Sequence, residues 1–295
     1  MSSTAKPPRV RIAFPKKGRL SERALALFEK AGLRPGYRAD RALVANLGAD
    51  FQAIFVRAED IPEYLADGAA DLGVTGADLV AESGRDVTEL LDLGFGPCRV
   101  VVAVRDESEI RGAEDVPSGT RVATSFPRIA RSYFQSLGID IEIATVSGST
   151  EIAPHLGVAD VIVDLTTTGS TLEMNNLREV GTIMTSTARL WAAPGVNDDA
   201  WKAKTVEELS TALESVLRAQ AKRYLMANVP KDRLDEVREV LPGINGATIV
   251  EVLDGGGWVA AHAVVDADEV YQTITRLKAL NAEGILVTPI ERLMP

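Results

Sequence analysis

A hydroxyl-rich turn near the middle of the sequence has residue types well suited to hold a phosphate. An apolar run leads to Asp164, and a helix pattern follows from Leu172 towards Leu177. Between them lie four threonines, a glycine and a serine: Thr166, Thr167, Thr168, Gly169, Ser170 and Thr171. Such a strand, turn and helix direct backbone N–H groups, hydroxyls and the positive end of the helix dipole at one point. The turn therefore predicts a phosphate site.

A capped helix without any ligand explains the same turn equally well. Ser170 and Glu173 have the spacing of a capping box, and Gly169 would then only supply a turn. If a phosphate does bind, Asp164 at the carboxyl end of the strand is placed to reach sugar hydroxyls or a magnesium ion beside it. This stretch alone does not decide between the two interpretations.

A basic loop near the start of the chain is a second candidate anion site. Lys17, Gly18 and Arg19 lie between a predicted strand, 10–14, and a predicted helix, 21–31. A basic, glycine-containing loop at a helix N-terminus can pair with phosphate oxygens. The alternative is a solvated basic turn. Arg128 and Arg131, near the start of another predicted helix, oppose its dipole and hint weakly at a nearby anion.

Composition excludes several functional classes. The 295 residues are 46% hydrophobic and 25% charged, as in soluble proteins of two or three domains. The net charge of -10 argues against nucleic-acid binding, although a local basic cluster can still bind a phosphorylated small molecule. Residues 1–8 lack the apolar run of a signal peptide, and no run of 18 apolar residues occurs, so we expect no membrane span and a cytoplasmic protein.

Cysteine and histidine are too sparse for the commoner metal and nucleophile sites. The single Cys98 excludes an intrachain disulfide and a thiolate zinc site, and a buried small hydrophobe is its simplest interpretation. His155 and His262 fit no metal-ligand spacing. A Ser-His-Asp triad is improbable for the same reason.

A segment layout that occurs twice in the sequence predicts two similar lobes. Residues 151–160 repeat the layout of the segment that begins at Glu59: acidic residue, isoleucine, proline, leucine, glycine, then Ala-Asp before an apolar strand and a Thr-Gly turn. Two such units suggest α/β lobes that face each other across a cleft. The last part of the chain reads strand, helix, strand, a glycine turn at 255–257, strand, helix, strand, which is the order of a ferredoxin-like module.

Several segments together resemble the long form of the ATP phosphoribosyltransferases that open histidine biosynthesis. The resemblance covers nearly the whole chain. Its most specific segments are Pro15–Leu20, Asp71–Gly76, Leu93–Gly96, Glu151–Pro154, Asp164–Leu172 and Ile285–Glu291. It favours phosphate binding over a plain capped helix at the central turn.

The resemblance implies a fold and a reaction. The expected fold is α/β, with two lobes around a cleft (periplasmic-binding-protein-like) and a C-terminal ferredoxin-like, ACT-like domain. The expected ranges are 1–97 with 181–220 for the first catalytic lobe, 98–180 for the second and 221–295 for a regulatory domain. The implied enzyme joins ATP to phosphoribosyl pyrophosphate (PRPP), gives phosphoribosyl-ATP and pyrophosphate, and assembles as a homo-oligomer, dimer and hexamer.

The resemblance also implies roles for individual residues. Lys17, Arg19 and Asp164 would be catalytic, and Asp164 with the turn 166–171 would bind PRPP. ATP would meet Lys17, Gly18, Arg19, Asp71 and Thr75, while Mg²⁺ would meet Asp164 or Glu151, directly or through water. Histidine, the expected inhibitor, would sit at Asn228, Ala247 and Thr248.

The sequence departs from the family pattern at two places, and two alternatives stay open. Thr166 and Thr167 replace a commoner Val-Ser pair, which keeps the hydroxyl chemistry. Asn228 stands where some relatives have an acidic residue, and its neutral side chain would hold the amino group of histidine more weakly. One alternative is a two-lobed small-molecule binding protein with a regulatory tail. The other is the short-form enzyme, in which a separate subunit carries regulation, and the complete tail module counts against it.

Overall fold

The computed structural model describes residues 9–34, 36, 43–253 and 256–294. They form two compact units, one of the described residues up to Glu29 with Leu33–Glu207, the other of Lys30–Gly32 with the described residues from Glu208 onward. Among these residues, no helix is long and apolar enough to cross a membrane.

The first unit contains two sheets, which we call the first and second lobe. The first-lobe sheet has the strands β1 (Val10–Pro15), β2 (Val44–Asn46), β3 (Phe51–Val56), β4 (Leu72–Gly76), β5 (Thr88–Asp92) and β11 (Ala188–Ala192), in the order β2-β3-β1-β4-β11-β5. Its helices are α1 (Gly18–Lys30), α2 (Ile61–Ala66) and α3 (Ala77–Ser83). Strand β1 runs parallel to β3 and β4. The apolar runs of β1 and β4 are explained by burial, since β4 is buried along its whole length.

The second-lobe sheet places three strand ends at one edge. Its strands are β6 (Cys98–Arg105), β7 (Thr120–Thr124), β8 (Ile141–Thr145), β9 (Val161–Thr166) and β10 (Leu177–Ser186), in the order β10-β6-β9-β7-β8, and its helices are α4 (Pro127–Ser136) and α5 (Ser170–Met174). Because β7 runs parallel to both β8 and β9, the turns that follow these three strands lie along the same edge.

The chain crosses between the lobes twice. Residues 93–97 lead from β5 to β6, and Thr187 leads from β10 back to β11. The two crossings are joined, because Leu93 N–H donates to Ala188 O at 2.9 Å and Ala188 N–H donates to Phe95 O at 2.9 Å. The expected change of lobe at 181 falls inside β10, which stays paired with β6 as far as Ser186 opposite Cys98.

A long helix, α6 (Ala200–Gln220), runs from the first unit into the second. The helix begins at Ala200 because Asp199 Oδ1 accepts hydrogen bonds from the N–H groups of Trp201 and Lys202, at 2.9 and 3.1 Å. The unit boundary at Glu208 thus lies within α6, whereas the expected boundary at 221 coincides with its end.

The rest of the second unit has the predicted β-α-β-β-α-β order. It consists of β12 (Lys222–Pro230), α7 (Leu234–Val240), β13 (Thr248–Glu251), β14 (Trp258–Asp266), α8 (Val270–Ala279) and β15 (Glu283–Pro289). The antiparallel sheet has the order β13-β14-β12-β15. The predicted fold class, two α/β lobes and a ferredoxin-like module, is confirmed. Gly255 of the expected glycine turn lies outside the described residues.

Candidate active site

The hydroxyl-rich turn connects β9 to α5 at the shared edge of the second sheet. The helix begins at Ser170 and ends at Met174, so the prediction of a helix from Leu172 towards Leu177 is wrong; Leu177 opens β10 instead. The capping-box interpretation is wrong as well. Gly169, at φ 85°, is the N-cap and offers no side-chain cap, while the Ser170 hydroxyl lies 3.0 Å from that of Thr168.

Several backbone N–H groups of this turn have no partner among the described residues. Gly169 N–H donates to Thr166 Oγ1 at 2.9 Å and Ser170 N–H to Thr168 Oγ1 at 3.4 Å, so these two are satisfied internally. In the part of the chain that the structure describes, the N–H groups of Thr167, Thr168, Thr171 and Leu172 donate no hydrogen bond. Because free N–H groups and exposed hydroxyls converge on one turn, the turn can accept an anion.

Two carboxylates lie beside the turn. Asp164 is half-buried and its Oδ1 accepts the Leu165 N–H at 2.7 Å. Burial raises the pKa of Asp164 above its ordinary value, and the nearby charge of Glu151 adds to the increase, while hydrogen bonds from Leu165 N–H and Thr150 oppose it. Glu151 follows β8 along the same edge. Among the described residues no group of three or more His, Cys, Asp or Glu could hold a metal ion.

His155 ties the segment that carries Glu151 to the far end of the turn. Its Nε2 forms a 2.7 Å hydrogen bond with Asn175 O, and Asn175 Nδ2 donates to Thr171 O at 2.8 Å. This structural role of His155 differs from the metal-ligand and triad roles considered for it from the sequence. Sequence carries no signal for this bond, because its partner is a backbone oxygen 20 residues away.

The basic loop opens α1 at the carboxyl end of β1. Lys17, Gly18 and Arg19 are exposed, and Gly18 has a φ of 83°. In the described ranges no carboxylate lies within ion-pair distance of Lys17 or Arg19. A Cβ added at Gly96 would lie 3.5 Å from Leu20, so the start of α1 lies against the first crossing between the lobes. The loop thus places two exposed cations at the start of α1, on the first lobe.

Asp71 and Thr75 occupy opposite ends of β4. Asp71 precedes the strand and accepts hydrogen bonds from Arg11 N–H and Lys202 Nζ, both at 2.7 Å. Burial opposes its ionisation, but these bonds outweigh burial and lower the pKa of Asp71. Lys17 follows the carboxyl end of the parallel strand β1, so the structure does not bring Asp71 to it. Thr75 lies near the carboxyl end, is buried, and donates its hydroxyl to Ala58 O at 2.8 Å.

The three expected histidine contacts lie in the ferredoxin-like module. Asn228 pairs with Ala260, and Thr248 pairs with His262 two residues along the same strand, β14. Since alternate residues of a strand share a face, Asn228 and Thr248 lie on the same face of the sheet, and both are exposed. Ala247 instead packs against the module's core.

Comparison with known proteins gives consistent matches over nearly the whole chain. Residues 57–215 match the family described as "ATP phosphoribosyltransferase", and residues 219–292 match "HisG, C-terminal domain". The ATP phosphoribosyltransferase of Gemmatimonas aurantiaca is 56% identical over 291 residues, 97% of this chain and 100% of the relative. That of Natronomonas pharaonis is 50% identical over 287 residues, with the same coverage.

One solved structure resembles the chain over its larger part. A chain of the "ATP phosphoribosyl transferase (HisG:HisZ) complex from Thermotoga maritima" is 30% identical and superimposes with a TM-score of 0.59. The match covers 98% of that chain and 70% of this one.

Proposed function

Because the chain belongs to the ATP phosphoribosyltransferase family of histidine biosynthesis, we propose that it joins ATP to PRPP and releases pyrophosphate. The observation that carries the PRPP part is the turn 166–171 with its free N–H groups. We assign it to the 5-phosphate, with Asp164 near the ribose hydroxyls. A cytoplasmic location belongs to the same proposal.

The proposed reaction is a displacement at the anomeric carbon of PRPP. A bond forms between adenine N1 and that carbon while the bond from the carbon to the pyrophosphate oxygen breaks. The ring nitrogen is already a nucleophile, so the protein's task is to orient the substrates and stabilise charge. Lys17 and Arg19, with no carboxylate partner among the described residues, are available to neutralise ATP phosphate or the departing pyrophosphate.

The ATP site is proposed at the carboxyl edge of the first sheet. Lys17, Gly18 and Arg19 would face the phosphates, and Thr75 lies at the same edge. Asp71, at the amino end of β4, would act through the ion pairs with Arg11 and Lys202 rather than by contact with ATP.

Mg²⁺ fits the residues beside the turn when it arrives with the substrate. Mg²⁺ in phosphate sites commonly uses one or two carboxylates together with substrate oxygens, and Asp164 with Glu151 provides two. Bound there, it would neutralise charge on the pyrophosphate. Asp164 and Glu151 would hold the ion directly or through water.

Regulation is the second part of the proposal. We assign the exposed sheet face of Asn228 and Thr248, with Ala247 beside it, to histidine as feedback inhibitor. We also propose assembly into homo-oligomers, dimer and hexamer. The family match over 219–292 shows that this chain carries the C-terminal domain, which argues against the short form. Membership of an enzyme family argues against a purely solute-binding role.

An absorbance assay tests the proposal. Purified protein is mixed with ATP, PRPP and Mg²⁺, with pyrophosphatase to pull the reaction forward, in the presence and absence of histidine. We expect a signal that requires both substrates and that histidine suppresses. A signal insensitive to histidine would contradict the regulatory assignment alone. Folded protein that gives no signal would contradict the proposed transferase activity.

A further inference from the structure

We infer that Glu82 is a positioning residue that couples the two lobes, because it lies on α3 of the first lobe and caps α4 of the second. Its Oε1 accepts the N–H of Arg128 and its Oε2 accepts the N–H of Ile129, both at 2.9 Å. The carboxylate thus links the lobes through two hydrogen bonds, in addition to the two chain crossings.

Helix α4 depends on this external cap. The residue at its own N-cap position is Phe126, whose side chain has no acceptor, and Pro127 follows without an N–H. Ala130 N–H donates to Phe126 O at 2.9 Å, so the remaining first-turn N–H groups are those that Glu82 accepts. Every N–H of the first turn is therefore satisfied, two of them by the other lobe.

Packing supports the same contact. Gly84 ends α3 at a φ of 62°, and a Cβ added there would lie 2.1 Å from Cζ of Arg128, so the guanidinium lies against the glycine backbone. Leu79 of α3 packs against the apolar core of the second lobe. The carboxylate of Glu82 contacts the backbone N–H of Arg128, and the described residues show no ion pair between it and the Arg128 guanidinium. As a negative charge at the N-terminus of α4, it interacts favourably with the positive end of the helix dipole.

The consequence for catalysis rests on the function proposed above. Lys17 and Arg19 belong to the first lobe and the turn 166–171 to the second, so the angle between the lobes sets the distance between the two substrates. Reaction rates fall steeply when reacting atoms are misplaced by about 1 Å. Loss of Glu82 should therefore affect the reaction of two bound substrates much more than the binding of PRPP alone.

Distances between spin labels test the coupling without relying on activity. In a Cys98→Ala background, cysteines replace the exposed Glu22 on α1 and Glu142 on β8 and carry the spin labels. Double electron–electron resonance then measures the distance between the two labels. We expect Glu82→Ala to shift or broaden the distance distribution, and Glu82→Gln, which keeps one acceptor oxygen, to do so less. The matched control is Glu63→Ala, which breaks an ion pair with Arg85 inside the first lobe and should leave the distribution unchanged.

Kinetics with the unlabelled variants complete the test. We expect Glu82→Ala to lower kcat/KM about tenfold or more, with the Kd for PRPP within about twofold of wild type. Unchanged distances in both Glu82 variants would overturn the coupling. Altered distances with wild-type kcat/KM would overturn its role in positioning substrates, whereas absence of any activity in the wild type would refute the proposed function and leave the distance result standing. If the alanine variant does not fold, the glutamine variant decides by the same criteria.

Discussion

Lys17 and Arg19 are exposed cations at the start of α1, and the proposed function requires them to neutralise phosphate charge. Removal of one preorganised charge-stabilising group commonly costs about 10² to 10³ in kcat. We therefore expect Lys17→Ala and Arg19→Ala each to lower kcat by about 100-fold. The control is Lys30→Ala at the opposite end of α1, which should keep kcat within about twofold. Wild-type kinetics in either loop variant would contradict the assignment.

Asp164 is predicted to lower stability while it supports activity. The fold raises the pKa of Asp164, so folding favours the protonated carboxyl. The stability that this protonated form contributes is complete below the ordinary pKa of 3.8, and it is lost as the pH rises through the raised pKa. At pH 7 the ionised group is therefore destabilising. Asp164→Asn should increase Tm at pH 7 and lower kcat at least about tenfold.

Thermal unfolding at pH 7 and steady-state kinetics check this prediction. Asp160→Asn, which removes an exposed carboxylate just before the same strand, is the control and should change neither quantity. A lower Tm for Asp164→Asn would show that the ionised carboxylate stabilises the fold.

Residue types in the sequence were enough to place the hydroxyl-rich turn and the basic loop between a strand and a helix, because hydroxyls, glycine and lysine at a strand end carry local chemical information. Glu82 and His155 were missed for a physical reason. Each acts through hydrogen bonds to backbone atoms of distant segments, 46 and 20 residues away, and no local pattern reports such partners.

At the scale of elements, the ion pairs of Asp71 join three segments: β1 through Arg11, the start of β4, and α6 through Lys202. Because the fold lowers the pKa of Asp71, the ionised carboxylate stabilises the folded protein at any pH above the ordinary pKa of 3.8. This stabilisation is lost as the pH falls through the lowered pKa. Asp71→Asn should therefore lower Tm at pH 7, with a smaller deficit in more acidic buffer.

The same variant separates a structural role from a nucleotide-binding role. We expect the KM for ATP to stay within about twofold, because Asp71 lies at the amino end of β4. Thermal scans across pH, with ATP kinetics on the same samples, provide the test. A raised KM for ATP without loss of Tm would instead place Asp71 at the nucleotide.

Element identity followed from sequence more closely than element ends. The predicted strand 10–14 coincides with β1 to within one residue, since a short apolar run is typical of a buried strand. Helix ends were less accurate because local capping geometry decides them: the Asp199 side chain caps α6 at Ala200, and Gly169, at φ 85°, starts α5 at Ser170, before the expected Leu172.

At the scale of the whole molecule, histidine binding should be separable from catalysis. We expect Asn228→Ala with Thr248→Val to raise the histidine concentration for half inhibition about tenfold or more while kcat stays unchanged, since a lost hydrogen bond to a charged ligand costs about 1.5 to 3 kcal/mol. The matched control is Thr288→Val, on β15 of the same sheet. Equal inhibition of the double variant and the wild type would exclude this face of the sheet as the histidine site.

The two lobes and the module were predictable from the segment layout that occurs twice and from the order of strands and helices. The point at which the chain leaves the second lobe was not predictable, because the mixture of apolar and polar residues in β10 suits either sheet. Its pairing with β6 up to Ser186 decides the matter, and pairing between distant strands leaves no local trace in one sequence.

PRPP binding to variants of Thr171 tests the central assignment most directly. Thr171 is the second residue of α5, its N–H donates no hydrogen bond within the described residues, and proline is tolerated in a first helical turn. Thr171→Pro removes the N–H and the hydroxyl, whereas Thr171→Ala removes the hydroxyl alone. Titration calorimetry with PRPP and Mg²⁺ should show at least about tenfold weaker binding for the folded proline variant than for the alanine variant. Equal affinities of the two variants would contradict a phosphate held by the backbone of this turn.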